Sequence, residues 1–246
     1  MGKKKKGIWV TGASSGIGKD AAKEFARVGY NVFASARRAT ELERINKELR
    51  KESSEGASGN HKISIQIYPC NVASSANVDQ IVKKITAENE IDCLVNSAGI
   101  TSFKLAEENS INEIDDIINT NLLGSIYAIK SVLPYMIEQG GGTIININSI
   151  ITQKFFSNSS AYAASKMGLL GYSKVLREEI RKYKIRVIDI IPGNTETPMW
   201  SSDVRKEHSE RMMKTEDIAR VIVWAYLQKD NIVSEEIVLR PIQGDL

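Results

Sequence analysis

Gly7 to Gly18 reads GIWVTGASSGIG, an apolar run, a glycine-rich turn and the start of a helix. Gly7 to Val10 is a short apolar run suited to a buried strand, and beyond it Ile17, Ala21, Ala22, Phe25 and Val28 recur at helical spacing. Between the two lies Thr11-Gly12-Ala13-Ser14-Ser15-Gly16-Ile17-Gly18. Glycines between a strand and a helix let the backbone approach a diphosphate, which the helix N-terminus holds with free N–H groups and the positive end of its dipole. The spacing is Gly-x-x-x-Gly-x-Gly, not G-x-G-x-x-G. A glycine turn alone is weak evidence for a nucleotide, and its position directly after the first strand strengthens it.

The next strand, Asn31 to Ala36, runs into Arg37-Arg38 about 20 residues beyond the glycines, where an NAD-binding fold places an acid on the ribose hydroxyl. Here that position is Ala36. A guanidinium pairs with a 2′-phosphate and gains little from a plain hydroxyl, so the pattern favours NADP(H), with Ser14 and Arg37 as phosphate contacts and Arg38 as a third. The competing reading has both arginines capping a strand end in solvent. A charged helix, Ala39 to Lys51, is followed by the polar stretch Ser53 to Asn60, read as a loop too short for a domain linker. A third strand, Ile63 to Cys70, then leads to Asn71-Val72 facing the adenine. Helix Ser74 to Glu88, strand Ile91 to Val95 and the turn Asn96-Ser97-Ala98-Gly99 complete an alternation that predicts parallel strands joined by right-handed crossovers. Residues 1–246 read as a single domain.

Composition excludes several classes. With 246 residues, 42 % hydrophobic and 26 % charged, the chain reads as globular and α/β. A net charge of +3 gives no electrostatic case for nucleic acid. Lys3 to Lys6 form the one basic cluster, read as the solvated start of the first strand, and the apolar run after it is too short for a signal peptide. No window reaches the length of a membrane helix. Cys70 and Cys93 lie in or beside apolar runs and read as buried free thiols in a reducing cytoplasm. His61 and His208 sit in polar surroundings, so neither a histidine triad nor a metal site has material.

The chemistry gathers in Asn146 to Lys166, NINSIITQKFFSNSSAYAASK. A strand, Thr143 to Ile147, ends at Ser149, and a helix-like segment follows with Tyr162 and Lys166 one turn apart on one face. An ammonium beside a phenol lowers its pKa from about 10, making tyrosine usable as a proton donor or acceptor. Ser149 could hydrogen-bond a carbonyl oxygen as charge builds on it. Roughly 0.7 Tyr-x-x-x-Lys pairs arise by chance in a chain of this composition, so the pair carries weight only with the rest.

Together these motifs, with Asn121, Pro192-Gly193 and Thr197 in the same order, resemble the compact branch of the short-chain dehydrogenases/reductases over essentially the whole chain. The resemblance implies a single-domain Rossmann fold: a doubly wound, mostly parallel sheet of about seven strands with helices on both faces. It implies that Tyr162 is the general acid or base, that Ser149 polarises the carbonyl, and that Lys166 binds the nicotinamide ribose while lowering the Tyr162 pKa. Asn121 would hold a water relaying protons from Lys166. Asn119 competes for that role, but two residues is about 200° of helix rotation, so only one faces the site. Gly12, Ser14, Ser15, Gly16, Ile17, Gly18, Arg37, Arg38, Asn71, Val72, Asn96, Ala98 and Gly99 would contact the cofactor. Pro192, Gly193, Thr195 and Thr197 would close over its nicotinamide.

Four positions depart from the family pattern: Asn71 for an adenine-contacting Asp, Ser97 for a second Asn, Asn148 for a Ser, and Thr152 for a Gly near the substrate. Pro198 to Met213 reads as a substrate-covering segment, with Phe155, Phe156, Met199 and Trp200 as pocket walls. A helix from Thr215 is expected with Thr215 as its N-cap, and a last strand at Glu236 to Arg240. The closing EEIVLRPIQGD looks like the 3-hydroxy-acid and serine dehydrogenases and broad-range carbonyl reductases. The expectation is a cytoplasmic, NADP(H)-dependent oxidoreductase of a small-molecule secondary alcohol and its ketone or aldehyde. It would be a homodimer or homotetramer with no membrane or nucleic-acid partner. An NAD-preferring alcohol dehydrogenase and a non-catalytic NADPH sensor are the alternatives.

Overall fold

The computed structural model describes residues 4–55, 63–228 and 231–245. Seven strands form one sheet: β1 (Lys5–Thr11), β2 (Asn31–Ser35), β3 (Ile65–Ile67), β4 (Asn89–Asn96), β5 (Gly142–Ile147), β6 (Ile185–Pro192) and β7 (Glu236–Leu239). Their order is β3-β2-β1-β4-β5-β6-β7, and every pairing is parallel. Because the order reverses at β1, the carboxyl ends of β1 and β4 flank a crevice, the place where open α/β sheets bind ligands.

Strand alternation divides the core in two. Ile8, Val10, Ile145, Ile188 and Ile190 face α1 (Gly16–Arg27), α2 (Ala39–Glu55) and α8 (Thr215–Tyr226) through Phe25, Leu42 and Ile222. Trp9, Leu94, Ile144 and Val187 face α3 (Ser75–Glu88), α5 (Gly124–Glu138) and α6 (Ser160–Ile180) through Val82, Ile129 and Leu176. Between α3 and α5, α4 (Ile111–Ile118) opens with a reciprocal cap between Ser110 and Glu113. It then passes through a wider π turn, Asn119–Leu123, into α5. The stretch 198–213, expected from the sequence to cover substrate, contains α7 (Ser202–His208).

Several boundaries differ from the sequence reading. β3 shrinks from Ile63–Cys70 to Ile65–Ile67 because Pro69 cannot donate to a ladder; Tyr68 and Cys70 keep single backbone bonds to Ala34 and Ala36. Val28 is not on the inner face of α1: it is the C-cap and is exposed. Of the polar stretch at 53–60, Ser53 to Glu55 belong to α2, and 56–60 lie outside the described residues, as do Lys3 and His61. The basic cluster is tied down, with Lys4 donating to the Thr86 carbonyl and Lys6 paired with Asp92 at 2.6 Å. Thr215 is not an N-cap: Lys214 holds that place, and the Thr215 hydroxyl donates to the buried Asp20 of α1. That bond closes the first and last helices of one layer.

Candidate active site

A cleft of about 940 Å³ runs along the carboxyl ends of the strands. At its centre is the turn after β1. Gly12 and Gly16 have φ of +66° and +56°, and a Cβ on Gly18 would stand 2.5 Å from the Gly12 carbonyl oxygen. Only glycine lets α1 approach the turn this closely. The Ser15 side chain leaves the helix end uncapped and its first turn holds no acid, so the N–H groups and dipole meet no competing carboxylate and suit a diphosphate. Thr11 Oγ1 accepts the Ser97 and Ala98 N–H groups at 3.2 and 3.4 Å, holding the turn after β4 beside the glycines.

At one end of the cleft Arg37 and Arg38 stand exposed beside Ser14, with Arg38 Nη2 donating to Ser14 Oγ at 3.3 Å. Asn71 and Val72 line the adjoining wall. The Asn71 side-chain oxygen already accepts the Ala73 N–H at 3.2 Å, which leaves one lone pair for an adenine amine.

The other end holds the catalytic candidates. Ser149, just past β5, and Tyr162 and Lys166, on the first turns of α6, all line the cleft. Lys166 Nζ donates to the Ile147 carbonyl at 2.7 Å and lies 5.8 Å from the Tyr162 ring centre. Lys166 therefore bridges strand end and helix start. The expected depression of the Tyr162 pKa does not occur: burial raises it above the usual tyrosine value, and only the hydrogen bond from Ser149 opposes that rise. Burial instead pulls Lys166 down to about 8, with the charge of Asp189 acting in the opposite sense. At neutral pH the phenol keeps its proton and the lysine its charge.

Asn121 is buried in the π turn, whereas Asn119 is half exposed. The widened turn aims the Asn121 amide at the backbone of Ile100, accepting its N–H at 2.8 Å and donating to its carbonyl at 2.9 Å, and a third bond runs to Ser165 at 3.0 Å. A Cβ on Gly99 would lie 3.5 Å from Asn121 Oδ1 and 3.8 Å from Lys166 Nζ, so both side chains stand over that glycine.

The remaining candidates line the cleft, with three exceptions that stand behind its wall: Gly18 against Gly12, Asn121 against Ile100, and Asn96 bonded to Asn146 at 2.9 Å. Thr195 is buried and donates to the Gly193 carbonyl at 2.9 Å, while Thr197 sits against Gly16. Phe155 is not a pocket wall: it is 72 % exposed and off the cleft. Thr152 is also off it, its hydroxyl donating to the Ser149 carbonyl at 2.8 Å. The wall that sequence reasoning missed is Phe103, whose ring stacks on Trp200 at 4.8 Å and 15° across the mouth.

The short chain dehydrogenase family model matches residues 6–208. The chain belongs to the short-chain dehydrogenases. It is 36 % identical to a sepiapterin reductase of Chlorobaculum tepidum over 97 % of both chains. It is 32 % identical to a 3-oxoacyl-[acyl-carrier-protein] reductase of Thermotoga maritima over 93 % of both. Among solved structures, a metagenomic short-chain oxidoreductase in complex with NADP superposes with a TM-score of 0.80 at 26 % identity, covering 96 % of each chain. As a member of this oxidoreductase family the chain has a cleft for a nicotinamide dinucleotide, and the uncapped α1 terminus and glycine turn fit one.

Proposed function

We propose that this short-chain dehydrogenase is an NADP(H)-dependent carbonyl reductase acting on a small ketone or aldehyde. The observation that carries the reading is the convergence of Ser149, Tyr162 and Lys166 at one end of the cleft, with the phenol protonated. The dinucleotide supplies hydride chemistry when bound. Ser149 and Tyr162 orient the carbonyl oxygen, and Tyr162 donates the proton that the developing alkoxide needs. Lys166 stabilises the phenolate left behind, and Asn121 holds the Ile100 segment against it, on the path by which the proton is restored. In the opposite direction Tyr162 acts as base, at higher pH. Arg37, Arg38 and Ser14 favour the 2′-phosphate. We read residues 1–246 as one catalytic domain, cytoplasmic, and assembled as a homodimer or homotetramer through the helices carrying Asn121 and Tyr162. Met167 and Val175 on α6 offer exposed apolar surface for that contact.

Phe103, Phe156, Met199 and Trp200 give the mouth an apolar, partly aromatic lining, which favours a planar or apolar group beside the carbonyl. The test is oxidation of NADPH, with NADH in parallel, against sepiapterin, 3-oxoacyl compounds, diketones and aromatic aldehydes. Turnover with NADPH should drop by about 10²- to 10⁴-fold in Tyr162→Phe while the dinucleotide still binds. Tight NADPH binding without turnover of any carbonyl would replace this reading with the non-catalytic one, and faster turnover with NADH would reverse the cofactor assignment.

A further inference from the structure

On β6 a single acid, Asp189, stands among Ile188, Ile190 and Ile191, fully buried. A carboxylate in such a place persists only if donors surround it. They come from two elements. Asn148 Nδ2 and Ser173 Oγ donate to Oδ1 at 2.7 and 3.0 Å, and Arg177 Nη2 donates to Oδ2. Asn148 immediately precedes Ser149. Ser173 and Arg177 lie on α6, about two and three turns beyond Lys166.

The Asn148 amide has no freedom in this arrangement. A carboxylate only accepts, so Asn148 must present its nitrogen, and its Oδ1 is left buried with no partner. The fold tolerates that orphan oxygen and keeps the bond to Asp189. On the α6 side Arg177 is equally fixed, with Nε on the Val187 carbonyl at 3.0 Å and Nη2 on the Glu235 carbonyl at 2.7 Å. The network continues inward: Asn146 donates through Nδ2 to Ser173 Oγ at 2.9 Å and accepts through Oδ1 from Asn96 Nδ2.

We propose that Asp189 is a positioning residue of the active site: bonded by both Asn148 and α6, it fixes Ser149 relative to Tyr162 and Lys166. This rests on the carbonyl-reductase reading. Among the described residues, the charged groups facing Asp189 are Arg177 from α6 and, around Arg177, Glu235 and Glu236 at the start of β7, the latter paired with Lys174; Asn148, just past β5, is a neutral amide. Burial raises the Asp189 carboxyl to about 6, so it is ionised at neutral pH, and its field opposes the loss of the Lys166 proton.

Two variants separate geometry from charge. Asn148→Ala cuts the tie to the strand end and leaves the Asp189–Arg177 pair intact; Asp189→Asn removes the charge. Both should lower kcat by about tenfold or more, as expected of a small misplacement, with the NADPH Kd within about threefold of wild type. Only Asp189→Asn should move the basic limb of the kcat profile to lower pH, because only there does Lys166 lose its support. Amide hydrogen exchange over residues 148–152 should rise in both variants. That readout is independent of turnover, so an inactive wild type would sink the reductase reading and leave this inference to be decided by exchange. A folded Asn148→Ala protein with unchanged kcat and exchange overturns the proposal, and this variant decides the matter if Asp189→Asn does not fold.

Discussion

Lys166 and Tyr162 divide the work by how burial treats charge. Burial disfavours the charged form of each, so the phenol is pushed up and the ammonium down to about 8. Carbonyl reduction needs the phenol protonated and the lysine charged. Its rate should be flat through neutral pH and fall about tenfold per unit as pH rises above about 8, where Lys166 loses its proton. A rate of NADPH oxidation that stays level to about pH 10 would show that the lysine charge does not matter. At the other end of the cleft, Arg38 donates to Ser14 rather than to an acid. Arg37→Ala and Arg38→Ala should each weaken NADPH binding by roughly tenfold or more, the worth of a charge-assisted hydrogen bond, and leave NADH binding unchanged. Equal effects on both dinucleotides, measured by fluorescence titration, would mean the arginines do not read the phosphate.

At the level of elements, α1 and α8 share apolar packing through Phe25 and Ile222, and their polar tie is a hydroxyl on a buried carboxylate. Thr215→Val keeps the shape and removes the donor, leaving Lys19 at 3.2 Å as the partner of Asp20 among the described residues. It should cost about 1–3 kcal/mol in urea unfolding; a change below about 0.5 kcal/mol would mean water replaces the bond. The same contact shows where the sequence stops being legible. Gly12, Gly16 and Gly18 were readable because their constraint is local, a turn that a Cβ would block. Thr215 resembled a cap because Thr-Glu-Asp is a capping pattern, and its true partner lies on the first helix of the chain. The π turn at Asn119–Leu123 was likewise hidden: the straight-helix rotation argument separated Asn119 from Asn121, but the partner of Asn121 is the Ile100 backbone, 21 residues away in the chain. Phe103 stood far from the other pocket walls in the chain. Asp189 did carry a signal, an acid inside an isoleucine run on a strand, and such a residue requires a buried cation partner.

For the molecule as a whole, the Phe103–Trp200 stack joins the loop after β4 to the stretch before α7 across the cleft mouth. Of the three tryptophans, Trp9 is fully buried in the core and Trp224 lies exposed on α8. Substrate entering beneath the stack should change the emission of Trp200 alone. Trp200→Phe should therefore abolish the fluorescence response to substrate, and a response that persists would place substrate elsewhere. The order of strands carries a different consequence, one for the chain as it is being made. β1 takes β2 on one side from residues 31–35 but waits for residues 89–96 to cover the other. Until then a nascent chain carries an open apolar edge along Ile8 to Val10, the segment where wrong pairing between neighbouring polypeptides would begin. Protection of that edge waits for β4 to leave the ribosome, so slower translation between these two segments lengthens the time for which it stays open.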